Sequence, residues 1–203
     1  MKDHGSTDTR DVWQTLALTK NFYNSHLAVE TVEVRSPARS EPMSWTVVRR
    51  KKAVVIAAMT SEKKFVLVRQ ERIPILRAIW EMPAGQIDQG ADSSGRSIEE
   101  VALRELGEET GFELSPGGEL IPLGCYFSSP GFTDEQAYLF LTYPVQASAH
   151  GHAHEQSESI LDCRTFTVAE LARMIVDDKI QDANTLSLCA RLAANGFISL
   201  DPR

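Results

Sequence analysis

Arg104-Glu105-Leu106-Gly107-Glu108-Glu109-Thr110-Gly111-Phe112 places carboxylates where an amphipathic helix ordinarily carries apolar side chains. At about 3.6 residues per turn, Ile98, Val101, Ala102, Glu105 and Glu109 share one stripe of a helix that is predicted to begin near Ser97 and end at Gly111. Glu105 and Glu109 thus face the core. Like charges one turn apart repel, and desolvating each costs several kcal/mol by order of magnitude, so the pattern calls for a compensating cation. A hard divalent ion bound by oxygen atoms meets that need.

Upstream of this helix, Gln89 to Arg96 is rich in Gly, Asp and Ser and reads as loop. Ser25 to Arg35 reads as a strand, a turn follows at Ser36 to Pro42, and a second strand starts at Trp45. Ala53 to Met59 and Phe65 to Arg72 are short β-prone runs around the polar Thr60 to Lys64, the pattern of a hairpin feeding a mixed sheet. Downstream, strands are expected at Gly124 to Phe127, Gln136 to Thr142 and Ile160 to Thr165. Helical periodicity closes the chain over Val168 to Asp177 and Asp182 to Ala194, with Gly196 as the stop. Strands, helix, strands and then helices imply an α/β/α sandwich around a mixed β-sheet, preceded by a β-rich N-terminal extension.

The chain has 203 residues, 42% of them hydrophobic, and a formal net charge of −7. That size supports one full core, and the charge argues against a protein that tracks nucleic-acid phosphates, while leaving small anionic substrates open. The three cysteines, Cys125, Cys163 and Cys189, are widely spaced and lack CxxC pairing, which suits a reducing compartment. The longest apolar stretch, Ala53 to Met59, is too short to span a bilayer, and Met1 to Asp11 lacks a signal peptide's apolar core. The expected setting is cytoplasmic, without membrane attachment.

Gly85, Arg104-Glu105-Leu106, Glu108-Glu109 and Gly111-Phe112 resemble the Nudix box, the signature of hydrolases acting on nucleoside diphosphates linked to another group. Gln70-Glu71-Arg72, Glu81-Met82-Pro83-Ala84-Gly85, Ser129-Pro130-Gly131-Phe132 and Lys179-Ile180-Gln181-Asp182-Ala183 resemble its ADP-ribose pyrophosphatase branch. The resemblance implies a hydrolase domain over residues 45–203 and a strand region over 1–44 that serves dimerisation, since members of that branch are typically homodimers. It also implies Mg²⁺-dependent hydrolysis of ADP-ribose to AMP and ribose 5-phosphate, with Mn²⁺ as the alternative ion. A UDP- or GDP-sugar pyrophosphatase and a nucleotide-sugar sensor without turnover are the rival readings. One feature departs from the family pattern: the Glu expected six residues after Gly85 and eight before Arg104 is missing, those positions being Ala91 and Arg96, so that Ala91 to Arg96 reads as an insertion that displaces it, with Asp92, Glu99 or Glu100 as the substitute.

Pyrophosphate cleavage brings water to a doubly negative bridge, so it needs divalent ions to neutralise oxygen atoms and acidify the water. Glu105 and Glu109 are the expected direct metal ligands, Glu108 a further or water-mediated one, and Arg104 the residue that holds an acid in place. The resemblance adds the carbonyl of Ala84 to the ligand set. It also draws the general base from the loop His150 to Ser159, where Glu158 fits the family position better than Glu155. For substrate, the resemblance implies that Trp45 stacks on adenine, while Arg49 and Arg72 are expected to grip phosphate or ribose oxygens. Pro130 and Glu135 are expected to shape and line the pocket.

Overall fold

The computed structural model describes residues 12–87, 97–149, 151 and 159–201. The chain divides into two compact units: the portion up to Arg50 joined by Ser129–Glu135, and Lys51–Ser128 joined by Gln136–Arg203.

The first unit is a three-stranded antiparallel sheet in the order β1 (Gln14–Tyr23), β2 (Leu27–Arg35) and β3 (Met43–Arg50). Asn24 closes the first hairpin, its Oδ1 accepting from His26 N at 2.8 Å and Leu27 N at 2.9 Å, a turn in which the side chain replaces a backbone acceptor. β2 and β3 match the expected strands, whereas β1 is an additional one, exposed along its whole length. The loop Ser129–Glu135 is stitched to β3: Val48 N donates to Phe132 O at 2.8 Å, and Thr133 Oγ1 donates to Val48 O at 2.8 Å.

The second unit is a seven-stranded mixed sheet with the main order β10-β5-β4-β9-β8. These strands are β4 (Ala53–Thr60), β5 (Lys64–Arg72), β8 (Phe112–Phe127), β9 (Gln136–Ala147) and β10 (Ile160–Thr167). β4 and β9 run parallel at the centre, so β4 is covered on both faces and reads as an unbroken apolar run. Val54, Ile56 and Ala58 pack with Val101, Ala102 and Leu106 of α1 (Ile98–Thr110) on one face. On the other, Val55, Ala57 and Met59 join Leu171 and Met174 of α2 (Val168–Val176) and Leu188 and Leu192 of α3 (Ala183–Ala194). The result is the expected sandwich.

The sheet forks where the site lies. β4 and β5 pair directly only near Ala58 and Met59; beyond that, β5 pairs β6 (Arg77–Glu81) and β4 pairs β7 (Ala84–Gln86). The turn through Met82 and Pro83 sits in the fork, with Ile56 N donating to Pro83 O at 2.9 Å. α1 is fixed at both ends as its sequence predicts. Ser97 and Glu100 form a reciprocal capping box, and Gly111 ends the helix at φ 70°, a left-handed conformation that favours glycine.

Leu106 is fully buried beneath α1. Leu106→Ala is expected to cost about 2–5 kcal/mol in urea unfolding followed by circular dichroism. A loss below about 1 kcal/mol would show that the helix is not anchored through this side chain.

Candidate active site

Glu105 and Glu109 are 5% and 2% exposed, so both carboxylates on the apolar stripe are buried as the periodicity requires. Each meets the strand beneath it at a specific backbone position. Ala84 N donates to Glu109 Oε2 at 2.9 Å. A Cβ at Gly85 would lie 2.0 Å from Glu105 Cδ, so the side chain of Glu105 crosses the space that only glycine leaves open.

The cations differ from the sequence expectation. Arg104 Nη2 donates to Glu105 Oε1 at 2.5 Å and its Nη1 bonds Glu108, so one guanidinium already bridges two of the three box acids. The Nε of Arg104 is buried and has no hydrogen-bond partner among the described residues. Of the three acids offered as substitutes for the displaced family Glu, Glu100 is engaged in the helix cap, Glu99 is exposed, and Asp92 lies outside the described residues. A second ion pair went unread in the sequence. Glu81, 2% exposed, is bound by Arg72 through Nε at 2.9 Å and through Nη2. The bond to Glu81 raises the Arg72 pKa above its ordinary value, and Glu109 and Asp182 add to the effect. The sequence signal was an acid between Trp80 and Met82 in an apolar strand.

Among the described residues no three acids converge as a ready-made metal cage. The donor chemistry nevertheless fits a hard cation. Five carboxylates (Glu81, Glu105, Glu108, Glu109 and Asp182) belong to this region against the two guanidiniums of Arg72 and Arg104. Burial is the main cause that raises the Asp182 pKa, and its Oδ1 is buried without a hydrogen-bond partner among the described residues. Oxygen-only donors with surplus negative charge suit Mg²⁺ or Mn²⁺ rather than a soft metal. Cys163 does not add a soft ligand: burial pushes its thiol up to about 11, so it stays protonated near neutrality.

In the first unit, Trp45, Arg49 and Pro130 line one cavity of about 490 Å³, together with Trp13, Arg39 and Gly131. Trp45 Nε1 donates to Gly131 O at 2.9 Å while the residue remains 49% exposed, which fixes the indole and leaves surface for stacking. Arg49 is held by the buried Glu30 at 2.9 Å and by Asp134 at 3.0 Å. Glu135 bonds Arg50 Nε at 3.1 Å rather than lining this cavity. Arg72 belongs to the second unit, on Glu81. Glu158 and Glu155 lie outside the described residues.

The profile of the NUDIX domain family matches residues 49–189. The ADP-ribose pyrophosphatase of Bacillus subtilis (strain 168) is 30% identical over 159 residues, covering 78% of this chain and 80% of that protein. The methanol dehydrogenase activator of Bacillus methanolicus is 32% identical over 160 residues, covering 79% and 80%. The crystal structure of an ADP compounds hydrolase shares the fold at a TM-score of 0.73 and 18% identity, covering 92% of this chain and 97% of that one.

Gly85→Ala is expected to leave the chain folded, because the added methyl meets a side chain that can rotate away. Displacing Glu105 should weaken Mn²⁺ binding about tenfold or more, read by electron paramagnetic resonance titration. Unchanged affinity would remove Glu105 from the ion-binding set.

Proposed function

The chain belongs to the NUDIX domain family and is a Nudix hydrolase, and on that premise we propose that it splits the diphosphate of a nucleoside diphosphate sugar, ADP-ribose above all, into AMP and ribose 5-phosphate. The observation that carries the proposal is the pair of buried carboxylates seated on Ala84 N and over Gly85. Glu105, Glu108 and Glu109, with the Ala84 carbonyl, would hold the divalent ion, Mg²⁺ or Mn²⁺. When bound, such an ion neutralises phosphate oxygens and lowers the pKa of the attacking water.

The protein's own groups have separate tasks in this scheme. Arg104 orients the box acids through its bonds to Glu105 and Glu108. Water adds to one phosphorus, the bridging P–O bond breaks, and Glu158 is the group assigned to take the water's proton. Trp45 stacks on adenine, Arg49 grips phosphate or ribose oxygens, and Pro130 shapes the pocket, a division supported by their shared cavity. Arg72, fixed by Glu81 and 38% exposed in its side chain, supplies a second guanidinium to the substrate.

The ADP-ribose assignment is supported by the B. subtilis relative, named for that activity. A homodimer formed through the N-terminal sheet is supported by Leu16, Leu18 and Phe22, exposed along β1. The free cysteines support a reducing, cytoplasmic setting, and among the described residues no helix is long and apolar enough to cross a membrane.

Product analysis with ADP-ribose, UDP-glucose, GDP-mannose and NADH, each with Mg²⁺ and with chelator, tests the reaction. Metal-dependent AMP release from ADP-ribose is the expected result. Preferred turnover of UDP-glucose or GDP-mannose would move the substrate, and binding of ADP-ribose with no turnover would replace the enzyme with a sensor. Glu109→Gln is expected to lower kcat about a hundredfold or more, roughly 2.7 kcal/mol of barrier. Full activity in that variant would sink the metal assignment. Trp45→Ala is expected to raise KM for ADP-ribose with kcat little changed, by a factor matching the ~1–3 kcal/mol of one base stack.

A further inference from the structure

The segment Gln181-Asp182-Ala183-Asn184-Thr185 opens α3, far in sequence from the box helix, and is tied to three other elements. Gln181 Oε1 accepts from Arg77 Nη2 at 2.9 Å, at the start of β6. Asn184 Oδ1 accepts from the Tyr126 hydroxyl on β8. Thr185, fully buried, accepts from Met82 N through Oγ1 at 2.8 Å, across 103 residues of sequence. Asp182 caps the helix by accepting from Thr185 N at 3.0 Å and also bonds the Thr185 hydroxyl, which leaves the lone pair of Oγ1 turned to Met82.

Met82, Pro83 and Ala84 are therefore held one after another by different elements. Met82 N is held by α3, Pro83 O by Ile56 of β4, and Ala84 N by Glu109 of α1. Pro83 has no N–H to offer, so the bond to Thr185 is the hydrogen bond that fixes the amide of this turn on the side away from Ala84. We propose that Thr185 is a positioning residue for the hydrolysis: through Met82 it sets the place of Ala84 and, with it, of the ion-binding carboxylates. The proposal rests on the metal reading of Glu105, Glu109 and Ala84.

The side chain offers a clean separation of packing from hydrogen bonding. Thr185→Val keeps the buried shape and removes the acceptor, whereas Thr185→Ser keeps the acceptor and removes a methyl group. If Thr185 positions the site, the valine variant loses Mn²⁺ affinity about 10–100-fold in substrate-free titration and loses kcat, with KM for ADP-ribose little changed. The serine variant melts lower than the parent protein yet keeps both values.

Equal losses in the two variants, or parental Mn²⁺ affinity in folded Thr185→Val, would overturn the proposal. Should the valine variant not fold, Thr185→Ala removes the acceptor in a smaller side chain without changing any charge. It is expected to weaken Mn²⁺ binding about threefold or more, and unchanged affinity there would equally overturn the positioning role. Absence of Mn²⁺ binding by the parent protein would refute the metal reading itself, and this inference with it.

Discussion

The fold of the second unit turns on how α1 meets the backbone of β7. Apolar packing alone would let the helix slide or rotate on the sheet, since dispersion contacts are many and individually weak. Two polar contacts remove that freedom. Glu109 takes the amide of Ala84, and Glu105 lies over the bare Cα of Gly85, so the helix is locked in register and rotation against one strand. A buried carboxylate that accepts a backbone N–H also satisfies a donor that would otherwise be stranded in the fork.

Such a lock is expensive electrostatically. Buried acids stabilise nothing unless cations and hydrogen bonds offset their lost hydration. Arg104 and Arg72 do part of this, each on its own carboxylates, and the acids still outnumber them. A region built only for stability would have apolar side chains here, which fill space without a desolvation cost. The retained negative charge, carried on oxygen donors among the described residues, fits the proposed role of holding a divalent cation at the expense of folding energy.

The helix and its ends were legible in the sequence because the apolar stripe, the start near Ser97 and the glycine at 111 agreed, while the reciprocal Ser97–Glu100 bonds that secure the start emerge only in the structure. β4 was legible because burial on both faces leaves an unbroken apolar run. β1 was not, since a strand exposed along its whole length carries no burial period to detect. The extent of β8 was also hidden. Ser115-Pro116-Gly117-Gly118 reads as a break, yet the strand continues through a register shift between Leu114 and Glu119. Arg104 was expected to hold one acid and holds two. The ion pair of Arg72 with Glu81 and the bond from Met82 to Thr185 were invisible for a common reason: they join residues far apart in sequence, and no local pattern records them.

That long-range character follows from the fork in the sheet. A continuous β4–β5 ladder would bury every backbone group of both strands in regular pairing and leave no irregular backbone near the helix. By parting after Ala58, the two strands admit β6 and β7 and the turn between them, whose amides and carbonyl point to three different elements. Irregular backbone inside a domain is tolerable only when each polar group finds a partner. The partners found here, Thr185, Ile56 N and Glu109, come from α3, β4 and α1. The turn therefore has a defined shape only once both helix layers have docked on the sheet, and a site assembled around Ala84 inherits its precision from the whole second unit rather than from the box helix alone.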